Sequence, residues 1–316
     1  MSNGITRLAP SPTGALHVGN ARTFVINHLL ARQNGWRVLL RIEDLDGPRI
    51  KGDSSAMIDE LSWLGLEWEG PVVRQSERGE LYRQALNRLW SERWAYPCIC
   101  SRRDIEIAAS APNLGQASAA YPGTCRGRFA DESQARQGGR PVAWRVIAPL
   151  APMLFDDRFA GPQSVDLASA GGDFVVFKND SQAAYQLAVV VDDSAAGVNR
   201  IVRGDDLLES CARQIHLRRL LGFDEPIEYW HLPLVIGPDG RRLAKRHGDS
   251  RLCYYRRLGC TPQRILGLIG FMCGAFGSRR EADMNDLMEA FDIERMSKSP
   301  VVFGPDDDAF LAGRKA

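Results

Sequence analysis

The chain has 316 residues, 44% of them hydrophobic, with 40 Lys plus Arg against 39 Asp plus Glu. That length supports a well-buried core and about two domains, while a net charge of +1 gives no support for wholesale electrostatic binding of nucleic acid and leaves RNA contact to local basic patches. The longest nearly apolar run, Ile265 to Gly277, has 13 residues, too few to cross a bilayer of about 30 Å.

Gly4 to Ala9 reads as a short strand, broken by Pro10-Ser11-Pro12-Thr13-Gly14. Asn20 to Gln33 carries Phe24, Val25, Leu29 and Leu30 near helical spacing and stops at Asn34-Gly35. Trp36 to Ile42 then has the run of a buried strand and ends in Glu43-Asp44-Leu45-Asp46, completing a βαβ opening. Helices are expected at Ser54 to Leu64 and Glu77 to Arg93, followed by an irregular stretch from about Arg102 to Gly172. Phe174 to Phe177 and Arg200 to Val202 read as strands, Asp205 to Leu221 as a helix, and Tyr229 to Ile236 as a strand entering the turn Gly237-Pro238-Asp239-Gly240. Beyond Ser250 the pattern is helical only. The expected class is α/β, a parallel-sheet domain over 1–249 with an insertion at about 95–172, followed by a small helical domain over 250–316.

Met1 to Gly14 lacks the apolar stretch of a secretory signal, so a cytoplasmic setting without membrane attachment is expected. The seven cysteines should then be free thiols or metal ligands. Cys98-Ile99-Cys100 followed by Tyr121-Pro122-Gly123-Thr124-Cys125 has the look of a zinc site, although buried free thiols would also fit.

Arg7 to Asn20 spans the turn from the first strand into the first helix, where helix N–H groups and partial positive charge suit a triphosphate and Gly19 leaves room for close approach. Here the sequence resembles the class I aminoacyl-tRNA synthetases: His17-Val18-Gly19-Asn20 matches their HIGH motif, with Asn20 in place of the common final histidine, and the surrounding residues resemble the glutamyl group. Arg241-Arg242-Leu243-Ala244-Lys245 resembles the family's KMSKS loop, with Lys245 as the catalytic lysine and Ala244 in place of a frequent serine. Arg295-Met296-Ser297-Lys298-Ser299 is closer to KMSKS in letters but lacks a preceding strand, so Lys245 is preferred.

The resemblance implies a Rossmann-type catalytic domain that binds Mg-ATP through His17, Gly19, Asn20 and Lys245. It implies a glutamate pocket in which Arg7, Tyr185 and Arg203 contact the side-chain carboxylate, Glu43 the ammonium, and Ala9 and Ser11 the wall. Arginine suits that task because its paired N–H donors match a carboxylate. The Cys-x-Cys and Tyr-x-x-x-Cys spacing resembles the glutamyl-queuosine subgroup, implying one structural zinc on Cys98, Cys100, Tyr121 and Cys125.

Because little sequence follows Lys245, a large anticodon-reading domain is not expected, and the subgroup implies a monomer that transfers glutamate to the queuosine base of tRNA(Asp). A compact glutamyl-tRNA synthetase charging the tRNA 3′ end, a related nucleotidyltransferase and a non-catalytic RNA-binding module stay open at this point.

Overall fold

The computed structural model describes residues 4–12, 15–45, 54–109, 120–241, 243 and 249–314. Lys245 with its neighbours Arg242, Ala244 and Arg246, and also Thr13, Gly14 and Asp46, lie outside the described residues. No helix among those described is long and apolar enough to cross a membrane.

The opening βαβ unit forms as its sequence suggests. Strand β1 (Ile5–Leu8) runs parallel to β2 (Arg37–Ile42), with Arg7 opposite Leu39. Helix α1 (Val18–Asn34) joins them and ends at Gly35, whose φ of 64° is the left-handed conformation that glycine adopts at least cost. Both the sheet-facing and outward faces of α1 are buried, because tail helices cover what would otherwise be a solvent face. After α2 (Ser54–Trp63), the short β3 (Val73–Arg74) pairs parallel with β2, and α3 (Gly79–Ser91) follows with Tyr82, Ala85, Leu86 and Leu89 on its buried side.

The stretch that reads as irregular holds much regular structure. It follows β4 (Ala95–Cys98) and contains α4 (Arg102–Ala109), α5 (Glu132–Arg136), β5 (Ala143–Val146), β6 (Met153–Asp157) and β7 (Gly161–Val165). Strand β5 sits between β4 and β8 (Phe174–Phe177) in an antiparallel sheet. Strand β6 instead leaves that insertion and joins the main sheet beside β10, where Tyr229 faces Asp157 and the Arg158 N–H donates to the Tyr229 carbonyl at 2.8 Å. Leu154, 68% exposed, and the paired acids Asp156-Asp157 hide this strand from hydrophobic patterning.

The second half-sheet follows. Helix α6 (Tyr185–Ala195) leads to β9 (Arg200–Gly204), α7 (Leu208–Leu220) and β10 (Glu228–Leu232), giving the order β7-β6-β10-β9 with β9 and β10 parallel. Asn199, just before β9, donates its N–H to the Ile5 carbonyl at 3.0 Å and accepts the Ile5 N–H on Oδ1 at 2.8 Å, so β1 and β9 meet at the centre. The chain departs from that junction in opposite directions, the place where open α/β sheets bind ligands.

The expected strand Tyr229 to Ile236 is interrupted at Pro233, leaving β11 (Val235–Ile236) separate. The tail supplies α8 (Leu252–Arg257), α9 (Pro262–Met272), α10 (Met284–Ala290), β12 (Val301–Val302) and α11 (Pro305–Leu311). It is not purely helical: β12 pairs parallel with β11. Ile265, Leu266, Ile269, Phe291 and Leu311 also pack into the same core as Leu8, Val25 and Leu40, so the tail shares its interior with the sheet.

Candidate active site

A cavity of about 590 Å³ opens at the β1/β9 junction, over the carboxyl ends of the central strands. Nine residues singled out from sequence, Arg7, Ala9, Ser11, His17, Gly19, Asn20, Glu43, Tyr185 and Arg203, all line it. They come from five elements. Arg7, Ala9 and Ser11 lie on or just past β1, Glu43 just past β2, Arg203 on β9, Tyr185 in the first turn of α6, and His17 to Asn20 at the start of α1.

The first turn of α1 differs from a simple open cradle. His17 is its N-cap, and Nδ1 accepts the N–H of Gly19 at 3.1 Å and that of Asn20 at 3.3 Å. The Val18 N–H donates to the Ser250 carbonyl and the Ala21 N–H to the His17 carbonyl, both at 3.0 Å. The leading N–H groups are therefore satisfied within the protein, and the neutral imidazole carries its proton on Nε2. A Cβ at Gly19 would stand 3.0 Å from His17 Cε1, so glycine keeps the ring in this pose.

Charge in the cavity wall is distributed unevenly. Asp193, on the last turn of α6, accepts from Arg7 Nε at 3.1 Å and from Arg41 Nη1 at 2.5 Å, while Arg41 Nη2 donates to Glu43 Oε1 at 3.0 Å. Burial works to raise the Asp193 carboxyl, but Arg41 and Arg7 outweigh it and hold it below its ordinary value. At Glu43 burial wins over the same arginines and the carboxyl is raised. Arg203 is 5% exposed and has no carboxylate partner among the described residues. Its Nε donates to His231 Nε2 at 2.8 Å, its Nη1 to Gln214 Oε1 at 2.7 Å, and its Nη2 has no hydrogen-bond partner there. The surplus positive charge of the wall therefore resides on Arg203.

The cysteine cluster lies elsewhere. The sulfurs of Cys98, Cys100 and Cys125 are all within 4.8 Å of one another, and those of Cys100 and Cys125 are 3.5 Å apart. The Tyr121 hydroxyl is 3.4 Å from Cys98 Sγ and 3.7 Å from Cys100 Sγ, making a four-membered donor set. Burial pushes the Cys100 thiol up to about 12. A tetrahedral ion with metal–sulfur bonds of about 2.3 Å would separate its sulfurs by roughly 3.8 Å, so the spacing fits a metal.

The family model for class I tRNA synthetases (E and Q), catalytic domain, matches residues 5–307. The chain belongs to this family. Among its relatives, the glutamyl-Q tRNA(Asp) synthetase of Symbiobacterium thermophilum is 44% identical, covering 98% of this chain and 99% of that protein. That of Geobacter sulfurreducens is 48% identical over 80% of the chain and 79% of its own length. A glutamate–tRNA ligase of Nitratidesulfovibrio vulgaris is 38% identical and matches 99% of the chain but only 66% of its own length. A crystal structure of a glutamate tRNA ligase from Elizabethkingia meningosepticum, in complex with its amino acid, aligns with a TM-score of 0.81 at 26% identity, over 98% of this chain and 69% of that one.

Membership places this Rossmann-type sheet, with its insertion, among the class I synthetase folds, whose reaction uses ATP. Sequence reasoning missed the groups behind the cavity wall: Arg41, Asp193, Gln214 and His231. Asp192-Asp193 at the end of the run Leu187 to Val191 was the available signal, since acids interrupting a buried helix face need partners.

Proposed function

We propose that the chain activates L-glutamate with Mg-ATP and transfers the glutamyl group to the queuosine base of tRNA(Asp). In the first step a carboxylate oxygen of glutamate attacks the α-phosphorus and pyrophosphate leaves; in the second a hydroxyl of the acceptor attacks the acyl carbon and AMP leaves. The observation that carries this reading is the uncompensated Arg203 in a cavity that also presents Glu43 and His17. Such a wall suits a dicarboxylic amino acid, whose second carboxylate completes the Arg203 fork beside Arg7 and Tyr185. Glu43 takes the ammonium, and Ala9 and Ser11 leave room for the chain between. The His17 Nε2–H, with Gly19 and Asn20 beneath, faces the phosphates.

Lys245 is assigned to the leaving pyrophosphate. Its loop ends beside the nucleotide turn: Ser250 accepts the Val18 N–H and Leu252 donates its N–H to the Leu16 carbonyl at 2.8 Å. Five residues extend at most about 17 Å, which keeps Lys245 within reach of that turn.

Cys98, Cys100, Tyr121 and Cys125 would hold one structural zinc ion, which draws the thiols into their thiolate form and braces the insertion. We assign 1–249 to catalysis, with about 95–172 meeting the acceptor, and 250–316 to the tRNA stem.

The test is ATP–pyrophosphate exchange followed by label transfer. Glutamate should support exchange without any tRNA, and labelled glutamate should then enter queuosine-containing tRNA(Asp), with nuclease mapping placing it on the queuosine nucleotide. Exchange that requires tRNA(Glu), or label on the terminal adenosine, would establish 3′-end charging instead.

A further inference from the structure

We infer that His231, oriented by Asp157 and acting together with Gln214, is a positioning residue that holds the Arg203 guanidinium in register with the substrate's side-chain carboxylate without neutralising it. This deepens the proposed reading of the cavity and rests on it. Arg203 and His231 face each other in the parallel pair β9/β10, so their side chains leave the same face of the sheet side by side. Arg203 Nε can only donate, which makes His231 Nε2 the acceptor at 2.8 Å and leaves the ring proton on Nδ1, bonded to Asp157 Oδ2 at 2.6 Å. The His231 and Asp157 side chains are fully buried.

Asp157 is itself fixed. Its Oδ1 accepts the N–H groups of Phe159 at 3.0 Å, Ala160 at 2.7 Å and His231 at 3.1 Å. On the other side of the guanidinium, Gln214 Oε1 accepts from Nη1 at 2.7 Å, Gln214 Nε2 donates to Gln186 Oε1 at 3.0 Å, and Gln186 Nε2 donates to Ser210 Oγ at 2.9 Å. Two of the three guanidinium nitrogens are thus held by oriented neutral acceptors, and Nη2 is left over.

Neutrality is the point of the arrangement. A carboxylate placed directly on Arg203 would make a buried ion pair that competes with the substrate. An imidazole between Arg203 and Asp157 supplies direction while the carboxylate acts from one ring away. Burial holds the His231 imidazole below its ordinary value, in keeping with the neutral form that the hydrogen bonds require.

Two variants with opposite hydrogen-bonding ends test the inference in the exchange assay. In His231→Asn the amide reaches Asp157 but not Arg203, whereas in His231→Gln the longer side chain returns an oxygen to the Nε2 position. The Asn variant should raise KM for glutamate at least about tenfold with KM for ATP within twofold, and the Gln variant should bring KM for glutamate back to within about threefold of the unmodified protein. An unchanged KM for glutamate in the Asn variant, a parallel rise for ATP, or equal impairment of two folded variants would overturn it. Thermal melting checks folding; should the Asn variant not fold, Gln214→Leu, which removes the Nη1 acceptor, is judged by the same glutamate-against-ATP split. Absence of glutamate-dependent exchange in the unmodified protein would instead remove the functional reading itself, before any variant is compared.

Discussion

Arg203 stands apart from Arg7 and Arg41, which share the carboxylate of Asp193, because its own contacts are to an imidazole and an amide. A charged group left in that state within a buried wall has most to gain from an incoming anion. Arg203→Ala should therefore lower kcat/KM for glutamate in pyrophosphate exchange at least about a hundredfold, or about 2.7 kcal/mol, and Arg203→Lys should not restore it because a single ammonium cannot reproduce the fork. Near-normal exchange by the alanine variant would remove Arg203 from the pocket. His17 illustrates a different lesson at this scale. Its side chain occupies the Gly19 and Asn20 N–H groups, so in the proposed reading the imidazole, and not the bare helix end, meets the nucleotide.

Among the elements, the turn from β1 to α1 was legible because prolines and glycines mark it and an apolar helix follows. The strands Phe174–Phe177 and Arg200–Gly204 were legible for a related reason, a short buried run flanked by polar breaks. The insertion was not. Its strand β6 ends in two acids and exposes Leu154, and its place in the main sheet comes from pairing with a strand about seventy residues later, which local patterning cannot register. The cavity residues followed from motif letters, yet Asp157, Gln214 and His231 carry no motif and are recognisable only once β6, α7 and β10 are side by side.

The cysteine cluster allows a test at the same scale. Purified protein should contain about one zinc per chain, and Tyr121→Phe should weaken zinc at least about tenfold in chelator competition. None of the four donors lines the 590 Å³ cavity, so glutamyl adenylate formation should survive that substitution while transfer to tRNA declines. Protein that purifies without metal and takes up none would exclude the assignment.

Across the whole molecule, acid should weaken the fold before ordinary carboxylates titrate. Burial is the leading cause that lowers His28, His216 and His231 from 6.5. Below 6.5 the unfolded chain binds protons at these sites that the native one refuses, so their stabilisation is present above 6.5 and is lost as pH falls toward the lowered values. Glu43 and Glu60, raised by burial, act in the opposite sense: the native state takes up their protons as pH falls through values above 4.5, which offsets part of the histidine loss. The melting temperature should drop by a few degrees between pH 7 and pH 5.5 in differential scanning fluorimetry; a flat profile would show that these imidazoles protonate freely in the native state.

The parallel pair β11/β12 has a mechanical corollary. Val301 donates its N–H to the Leu234 carbonyl at 3.0 Å and Phe303 to that of Ile236 at 2.8 Å, while Leu234 and Val235 form part of the cavity lining. Peeling away residues 301–314 would strip the Leu234 and Ile236 carbonyls beside this lining of their partners. Whatever grips the segment that follows β12 therefore also grips a wall of the cavity proposed to take ATP.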